Sequence, residues 1–292
     1  MGFMTFSKTY FCHKPIWEET HTIPFNELIL SWNGIRPKRA KWTFWVSLQK
    51  EEWLKYAEWG PDSQRSFKSK AAFAENDRDV VIPREVCTAF QVRVEGEELC
   101  QLHTLYACVS HLAHHTVILP EDLPPVFLQE IPRQSQMVLD HPRHKDLCSP
   151  TSTTTAMKIV AKRSFDPIDF ASRIYDDAFD IYGNWILNIA EAYHQLRSPC
   201  HVERLADFSA LHAQLMQGRP VVVSVKGEIP GAPKPYSVGH LLCVVGYERK
   251  TVYCIDSGFP DNASTFVGYG LKDFLTAWGI RRNLAYVFPG GI

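Results

Sequence analysis

Hydrophobic and polar positions alternate over two segments in the first part of the chain. In "KWTFWVSLQ" (41–49) and "EVCTAFQVRV" (85–94), every second side chain is apolar, apart from one threonine in the second segment. A period of two predicts half-buried antiparallel strands. We therefore predict a β-rich, sandwich-like domain over residues 1–125.

The second part of the chain combines helical and strand patterns. Apolar residues recur at helical spacing in three segments around residues 149–162, 185–196 and 208–218, and again at 271–279. Ser149 is the predicted N-cap of the first helix, with Pro150 at its first helical position. Apolar strands are predicted at 221–225, 240–248, 251–256 and 283–288. Helices followed by a run of strands predict an α+β domain, a helical layer on an antiparallel sheet, over residues 126–292.

A proline-rich segment separates the two parts. Residues 117–135, "VILPEDLPPVFLQEIPRQS", contain four prolines. Proline fixes φ and lacks a backbone donor, so this segment is predicted to run extended over the surface and to contain the domain boundary.

Composition narrows the function classes. The formal net charge is −1, with no long basic run, which gives no indication of nucleic-acid binding. No apolar run approaches the roughly 20 residues needed to span a bilayer, and the first residues lack the pattern of a cleaved secretory signal. A cytoplasmic location is the default expectation, and export by a route without a cleaved signal stays open.

Tryptophan is concentrated in the first part, where six of the eight residues precede position 60. Aromatic filling of a core is the favoured interpretation. A platform for a glycan, or another ligand-binding role of this domain, is the alternative.

The eight cysteines are scattered and form no C-x-x-C pair, so free thiols are expected rather than a disulfide framework. Cys148 directly precedes the predicted helix cap. A helix N-terminus offers unpaired amides and a positive dipole end, which lower a thiol pKa. Cys148 is therefore the candidate nucleophile, provided that a base lies near it.

A hairpin in the second part supplies a candidate base. If strands 240–246 and 250–256 are joined symmetrically about Glu248, His240 faces Asp256, with Cβ atoms about 5 Å apart. Asp256 would then fix the tautomer of His240 and stabilise its charged form. Gln136, twelve residues before Cys148, is the candidate side-chain donor of an oxyanion hole, with Gln134 as second choice.

The order Gln136, Cys148, His240, Asp256 resembles that of papain-like cysteine peptidases of the bacteriocin-processing type, in their stand-alone family-39-like branch. The matching segments include "IPRQSQMV", "CSPTSTTTAM", "GNW", "GRPVVVSV", "IPGAPKPYSVGHLLCVVGY" and "IDSGFPD", and they span about residues 131–288. The first half is similar to the β-rich domain that precedes this peptidase in some members, through "LILSWNG", "AEWG" and "QRSF".

The resemblance implies hydrolysis of a peptide or isopeptide bond through a thioester, with no cofactor. It gives Cys148 the role of nucleophile, His240 that of base and acid, Asp256 that of orienting residue and Gln136 that of oxyanion donor. The substrate is expected to be a protein or peptide. This sequence departs from the bacteriocin-processing members in having no transporter and no Walker motif, so their double-glycine substrate is not assumed. It also has Ser149-Pro150 where many papain-like enzymes have glycine.

Three alternatives stay open at this point. A peptide- or glycan-binding protein without turnover has the same fold, and an acyltransferase of the transglutaminase-like kind uses the same triad. A zinc site from the histidine-rich segments is the third, but no C-x-x-C completes it and Pro142 interrupts one of them. The candidate zinc ligands are Cys148 and the histidines His111, His114, His115, His141 and His144.

Overall fold

The computed structural model describes residues 3–10, 14, 16–49, 52–114 and 117–288. By its internal contacts the chain divides into two compact units. The first comprises Met1–His115 together with Arg173–Gln195, and the second comprises Thr116–Ser172 and Leu196–Ile292. The single boundary at residue 125 stays a prediction. The division into compact units differs from this single boundary, because residues 173–195 belong to the first unit.

Ten strands form one continuous antiparallel path in the first unit, in the order β1-β10-β3-β8-β7-β6-β5-β4-β9-β2. Their bounds are β1 Phe3–Thr9, β2 Ile16–Glu19, β3 Glu27–Gly34, β4 Trp42–Gln49, β5 Glu52–Trp59, β6 Gln64–Lys70, β7 Ala74–Arg78, β8 Val80–Pro83, β9 Phe90–Glu95 and β10 Leu102–Ser110.

Aromatic side chains join distant strands of this path. Trp32 on β3 stacks on Phe44 of β4, with ring centroids 3.9 Å apart, although four strands lie between β3 and β4 in the path. The sheet therefore curls until two of its parts face each other, as the layers of a sandwich do. The two-layer description itself stays a prediction. Core filling accounts for four of the six early tryptophans, which are buried: Trp17, Trp32, Trp42 and Trp59.

The strand predicted at 85–94 begins later than expected. Phe90, Val92 and Val94 are buried on β9 as the alternation predicts, but Val86 and Thr88 are exposed and precede the strand. In this region Cys87 forms an isolated β-bridge with Phe25 instead of a continuous ladder of strand hydrogen bonds. The prediction was therefore wrong over its first half, because alternation of residue types does not show whether a partner strand is present.

Buried polar contacts hold residues 173–195 to the rest of the first unit. Arg36 forms an ion pair with Glu191 at 3.0 Å, and Ser66 donates to Asp176 through both its backbone N–H and its hydroxyl. Because buried charges and carboxylates require partners, these contacts explain the grouping.

Five α-helices and a second sheet complete the described part of the chain. The sheet has the order β12-β17-β13-β14-β15-β16, with β11 paired to β14. Helices α1, α4 and α5 pack on it, which confirms the predicted combination of helices with an antiparallel sheet. The bounds are β11 Val126–Phe127, α1 Cys148–Ala161, α2 Pro167–Ile174, α3 Trp185–Leu196, β12 His201–Arg204, α4 Phe208–Met216, β13 Val221–Gly227, β14 Tyr236–Glu248, β15 Thr251–Ile255, β16 Phe266–Gly270, α5 Leu271–Ile280 and β17 Leu284–Val287.

The pairing of β11 with β14 depends on a glycine. Phe127 lies opposite Gly246, and a Cβ on Gly246 would come within 2.6 Å of the Phe127 ring. A side chain at position 246 would therefore displace β11. No helix in the described part of the chain is long and apolar enough to cross a membrane.

Candidate active site

Cys148 is the first residue of helix α1. A short 3-10 turn, His144–Asp146, precedes it, and Leu147 accepts the first helical hydrogen bond from the amide of Thr151 at 3.0 Å. The Cys148 side chain therefore lies at the positive end of α1, among first-turn amides without intrahelical acceptors.

The predicted helix start was wrong by two residues. Leu147, not Ser149, is the N-cap, and the Ser149 hydroxyl instead lies 3.1 Å from the Tyr286 hydroxyl. Pro150 occupies the third helical position. Proline is tolerated throughout the first turn because no amide there has an intrahelical acceptor. Cys148 therefore lies inside the helix, closer to the amides of the first turn than the prediction placed it.

His240 and Asp256 meet across the β14–β15 hairpin, but in a different register from the predicted one. Glu248 pairs with Thr251, so Arg249 and Lys250 form a two-residue turn. Both have positive φ, 49° and 63°, as the hairpin turns that match strand twist require. The predicted loop centred on Glu248 was wrong because Arg-Lys is not a recognisable turn pair.

A β-bulge restores the alignment of the two side chains. From the turn, Gly246 pairs with Tyr253, but Val244 pairs with Cys254, so Val245 is the extra residue on β14. Without the bulge, His240 and Asp256 would point to opposite faces of the sheet. With it they share a face, and His240 Nε2 lies 2.8 Å from Asp256 Oδ1.

Cys148, His240 and Asp256 form a series in the second unit. The imidazole of His240 bonds to Asp256, and it lines the same cavity as the Cys148 thiol. His240 is 5% exposed and Asp256 is fully buried. The structure thus brings together the three residues that the sequence analysis singled out for nucleophilic chemistry.

Two tyrosines that the sequence analysis missed also contact Asp256. Tyr236 and Tyr269 donate their hydroxyls to Asp256 Oδ2 at 2.5 and 2.6 Å, and the amide of Gly258 donates to Oδ1 at 2.9 Å. The Tyr236 ring also stacks on His240, with centroids 4.1 Å apart. Tyr236 lies four residues before His240 on the same face of β14, which the period of two could have indicated. Tyr269 comes from β16 and has no such signal.

Electrostatics favour the ionised forms of this series. Burial raises the pKa of the Cys148 thiol, but the hydrogen bond and charge of His240, with backbone donors at Leu241 and Ser149, bring that pKa below its ordinary value. Burial lowers the pKa of His240, but Asp256 and then Cys148 raise it to about 10. Asp256 keeps a lowered pKa despite burial, because of His240 and the two tyrosines. Both shifts act in the direction of a thiolate beside an imidazolium.

The other thiols differ from Cys148. The seven cysteines in the described residues are free, and Cys12 lies outside them. Burial raises the pKa of Cys243 and Cys254, since neither has a cationic partner. Burial alone thus gives an unreactive thiol, and the lowered pKa of Cys148 comes from its partners.

Gln136 lies beside Cys148 and is almost fully buried. Its Oε1 accepts from the Ser257 hydroxyl at 2.8 Å, and its Nε2 donates to the carbonyls of His144 and Lys145 at 3.0 and 2.8 Å. These contacts fix which end of the amide carries the donors. Gln134 donates to the Ser135 carbonyl and is not among the residues lining the cavity at Cys148.

A cavity of about 170 Å³ opens at these residues. One wall is formed by residues 234–239, which lead into His240. The other lining residues are Gln136, Met137, Lys145, Cys148, His240 and Gly258.

Among the described residues, no three His, Cys, Asp or Glu side chains are grouped so as to hold a metal ion. Of the histidines considered for zinc, His115 and the side chain of His114 lie outside the description.

Comparison with known proteins supports the resemblance seen in the motifs. No curated protein matches the chain. Among solved structures, one from Bacillus anthracis described as a "putative C39-like peptidase" is similar, with 16% identity, a TM-score of 0.45, and coverage of 58% of this chain and 99% of that chain. The family model for the C39-like peptidase family matches residues 128–286, more than half of the chain and all four candidate site residues. This chain belongs to the C39-like peptidase family.

Proposed function

We propose that this protein is a cysteine peptidase in which Cys148, His240 and Asp256 form the catalytic triad. The observation that carries the proposal is the hydrogen bond between His240 and Asp256, with the imidazole and the Cys148 thiol at one open cavity. Membership of the C39-like family supports the same activity.

Acylation follows from the ionised state of the pair. The Cys148 thiolate attacks the carbonyl carbon of the scissile amide, and the π-electron pair of the carbonyl moves to its oxygen. As the tetrahedral intermediate collapses, the His240 imidazolium gives its proton to the leaving nitrogen and the C–N bond breaks. A thioester on Cys148 and a free amine product result.

Deacylation reverses the roles of the same groups. Neutral His240 takes a proton from water while the water oxygen attacks the thioester carbon. The C–S bond then breaks, which releases the carboxyl product and restores the thiolate–imidazolium pair. Asp256 stabilises the positive charge on His240 in both steps.

The oxyanion is assigned to the Cys148 backbone N–H and the Gln136 side-chain amide. Gln136 already donates to two carbonyls, so in the intermediate one of these bonds is exchanged for the oxyanion. An oxyanion binds an N–H more strongly than a neutral carbonyl does, which favours the exchange. The Ser257 hydroxyl holds the other end of the amide in place.

Thiol alkylation tests the proposal without a known substrate. At about pH 6 an ordinary cysteine is almost wholly protonated, so iodoacetamide should label Cys148 rapidly and the exposed Cys100 slowly. The His240→Ala variant should lose the fast phase at Cys148, because the thiolate loses its cationic partner. Site-resolved mass spectrometry measures both rates. Uniformly slow labelling in the wild-type protein would contradict the proposal.

Hydrolysis itself requires a second measurement. A peptide mixture incubated with the wild-type protein should yield new termini, and the Cys148→Ser variant should yield none. Repeating the incubation with an added amine shows whether water or the amine accepts the acyl group. Fast labelling of Cys148 without any acyl product would assign the site to another role.

A further inference from the structure

Apart from Cys148 and His240, the charged side chains that line the cavity are two lysines. Lys145 and Lys234 line it from two separate segments, one before α1 and one before β14, and both side chains are exposed. No Asp or Glu occurs among the described residues that line the cavity. A bound substrate would therefore meet two ammonium groups.

The carboxylate of the triad does not cancel these charges. Asp256 does not line the cavity, and its two oxygens accept four hydrogen bonds from His240, Gly258, Tyr236 and Tyr269. The thiolate at the cavity is itself paired with the imidazolium. The two lysines are then the charges left to act on a substrate.

A third cation supports the same wall. Arg281 Nη2 donates to the carbonyl of Val238 at 2.6 Å. Gly239 has φ of +109°, and a Cβ there would collide with the Arg281 guanidinium. Glycine at 239 thus lets a guanidinium approach the strand that leads to His240, which adds positive potential at this side of the cavity.

From this charge pattern we infer that the site selects substrates with a carboxylate close to the scissile bond. The inference rests on the proposed peptidase function and adds a substrate class to it. The carboxylate belongs either to an Asp or Glu side chain or to the free C-terminus of a peptide. Exposed ion pairs contribute about 0.2–1 kcal/mol, so each lysine should change the preference by up to about fivefold.

Two alkylating reagents measure this preference directly. Iodoacetate carries a carboxylate and iodoacetamide is its neutral counterpart, so the ratio of their rates at Cys148 reports the potential in the cavity. Lys145→Gln and Lys234→Gln should each lower the ratio about two- to fivefold, and the double variant should lower it by the product. Added salt should reduce the difference between wild type and variants.

Lys272→Gln is the matched control. Lys272 is also exposed, but it lies in the first turn of α5 and does not line this cavity, so the same change of net charge should leave the ratio unaltered. An unchanged ratio in the double variant would overturn the inference. Failure of the proposed peptidase function is a separate result, in which both reagents label Cys148 slowly at pH 6 whatever their ratio.

A peptide mixture distinguishes the two sources of carboxylate. With peptides amidated at the C-terminus, cleavage next to Asp or Glu should persist if side chains are recognised, and these sites should be depleted in the double lysine variant. Loss of cleavage on amidation would assign recognition to the terminal carboxylate. Cleavage with no acidic enrichment and no dependence on either lysine or on amidation would refute the inference.

Discussion

Two aspartates in this protein are equally buried and equally bonded, yet their surroundings differ. Asp256 in the second unit and Asp176 in the first are both fully buried. Each accepts four hydrogen bonds. The donors to Asp176 are the amide and hydroxyl of Ser66, the side-chain amide of Asn184 and the amide of Ala178.

The difference lies in the charge of the partners. All four donors to Asp176 are neutral. They fill the hydrogen-bonding capacity of this carboxylate, but none of them is a titratable group whose pKa it could change. Asp256 bonds to His240, which lines an open cavity together with the Cys148 thiol and lowers the pKa of that thiol. A buried carboxylate with a full set of donors is therefore no sign of catalysis by itself. A titratable partner with access to solvent is the informative feature.

Replacing Asp256 with asparagine should have the largest effect on reactivity. The substitution keeps the shape but removes the charge that raises the pKa of His240, so the imidazolium is less stable and the pKa of Cys148 rises. In the wild type, thiolate reactivity is lost as pH falls through the lowered pKa of Cys148. In Asp256→Asn it should be lost at a higher pH, and we expect the labelling rate at pH 6 to fall about 10- to 100-fold.

The measurement is the pH profile of iodoacetamide labelling at Cys148. Cys100 serves as the internal reference, because it does not take part in the series. A profile that coincides with that of the wild type would remove Asp256 from the proposed triad.

Asp176→Asn should affect stability and leave reactivity unchanged. The new amide has one acceptor oxygen instead of two. It can serve either the donors to Oδ2, from Ser66 and Asn184, or the Ala178 amide at Oδ1, and the remaining donors lose their acceptor. We expect a loss of about 1–3 kcal/mol in the free energy of unfolding of the first unit, measured by urea titration. The labelling profile of Cys148 should match that of the wild type. A shifted profile would show that Asp176 influences the site.

Local patterns predicted the parts of the fold that depend on neighbouring residues. On α4, Phe208, Leu211 and Leu215 are buried as their helical spacing indicates. Strand alternation predicted β4, and the second half of the segment 85–94 that forms β9, for the same reason. These patterns succeed because the spacing of apolar residues over a short segment determines which face of the helix or strand packs against the core.

Contacts between distant segments could not be predicted in this way. The grouping of residues 173–195 with the first unit depends on pairs such as Ser66 with Asp176, which no local pattern marks. The hairpin shows the same limit. His240 and Asp256 were paired correctly from a wrong register, because the misplaced turn and the unforeseen bulge at Val245 compensate in their effect on the side-chain face.

Removing one tyrosine hydroxyl should give the smallest effect and the sharpest contrast between the two aspartates. Tyr236→Phe and Tyr269→Phe each delete one donor to Asp256, while Tyr236→Phe keeps the ring stacked on His240. With one donor fewer, Asp256 is a weaker partner for His240, and labelling of Cys148 at pH 6 should fall about two- to fivefold.

Ser66→Ala is the matched control, since it deletes one hydroxyl donor to Asp176. All three variants should lose a similar stability, about 1 kcal/mol, but only the tyrosine variants should change the labelling rate. Equal labelling in all three would mean that the hydroxyls on Asp256 serve packing alone.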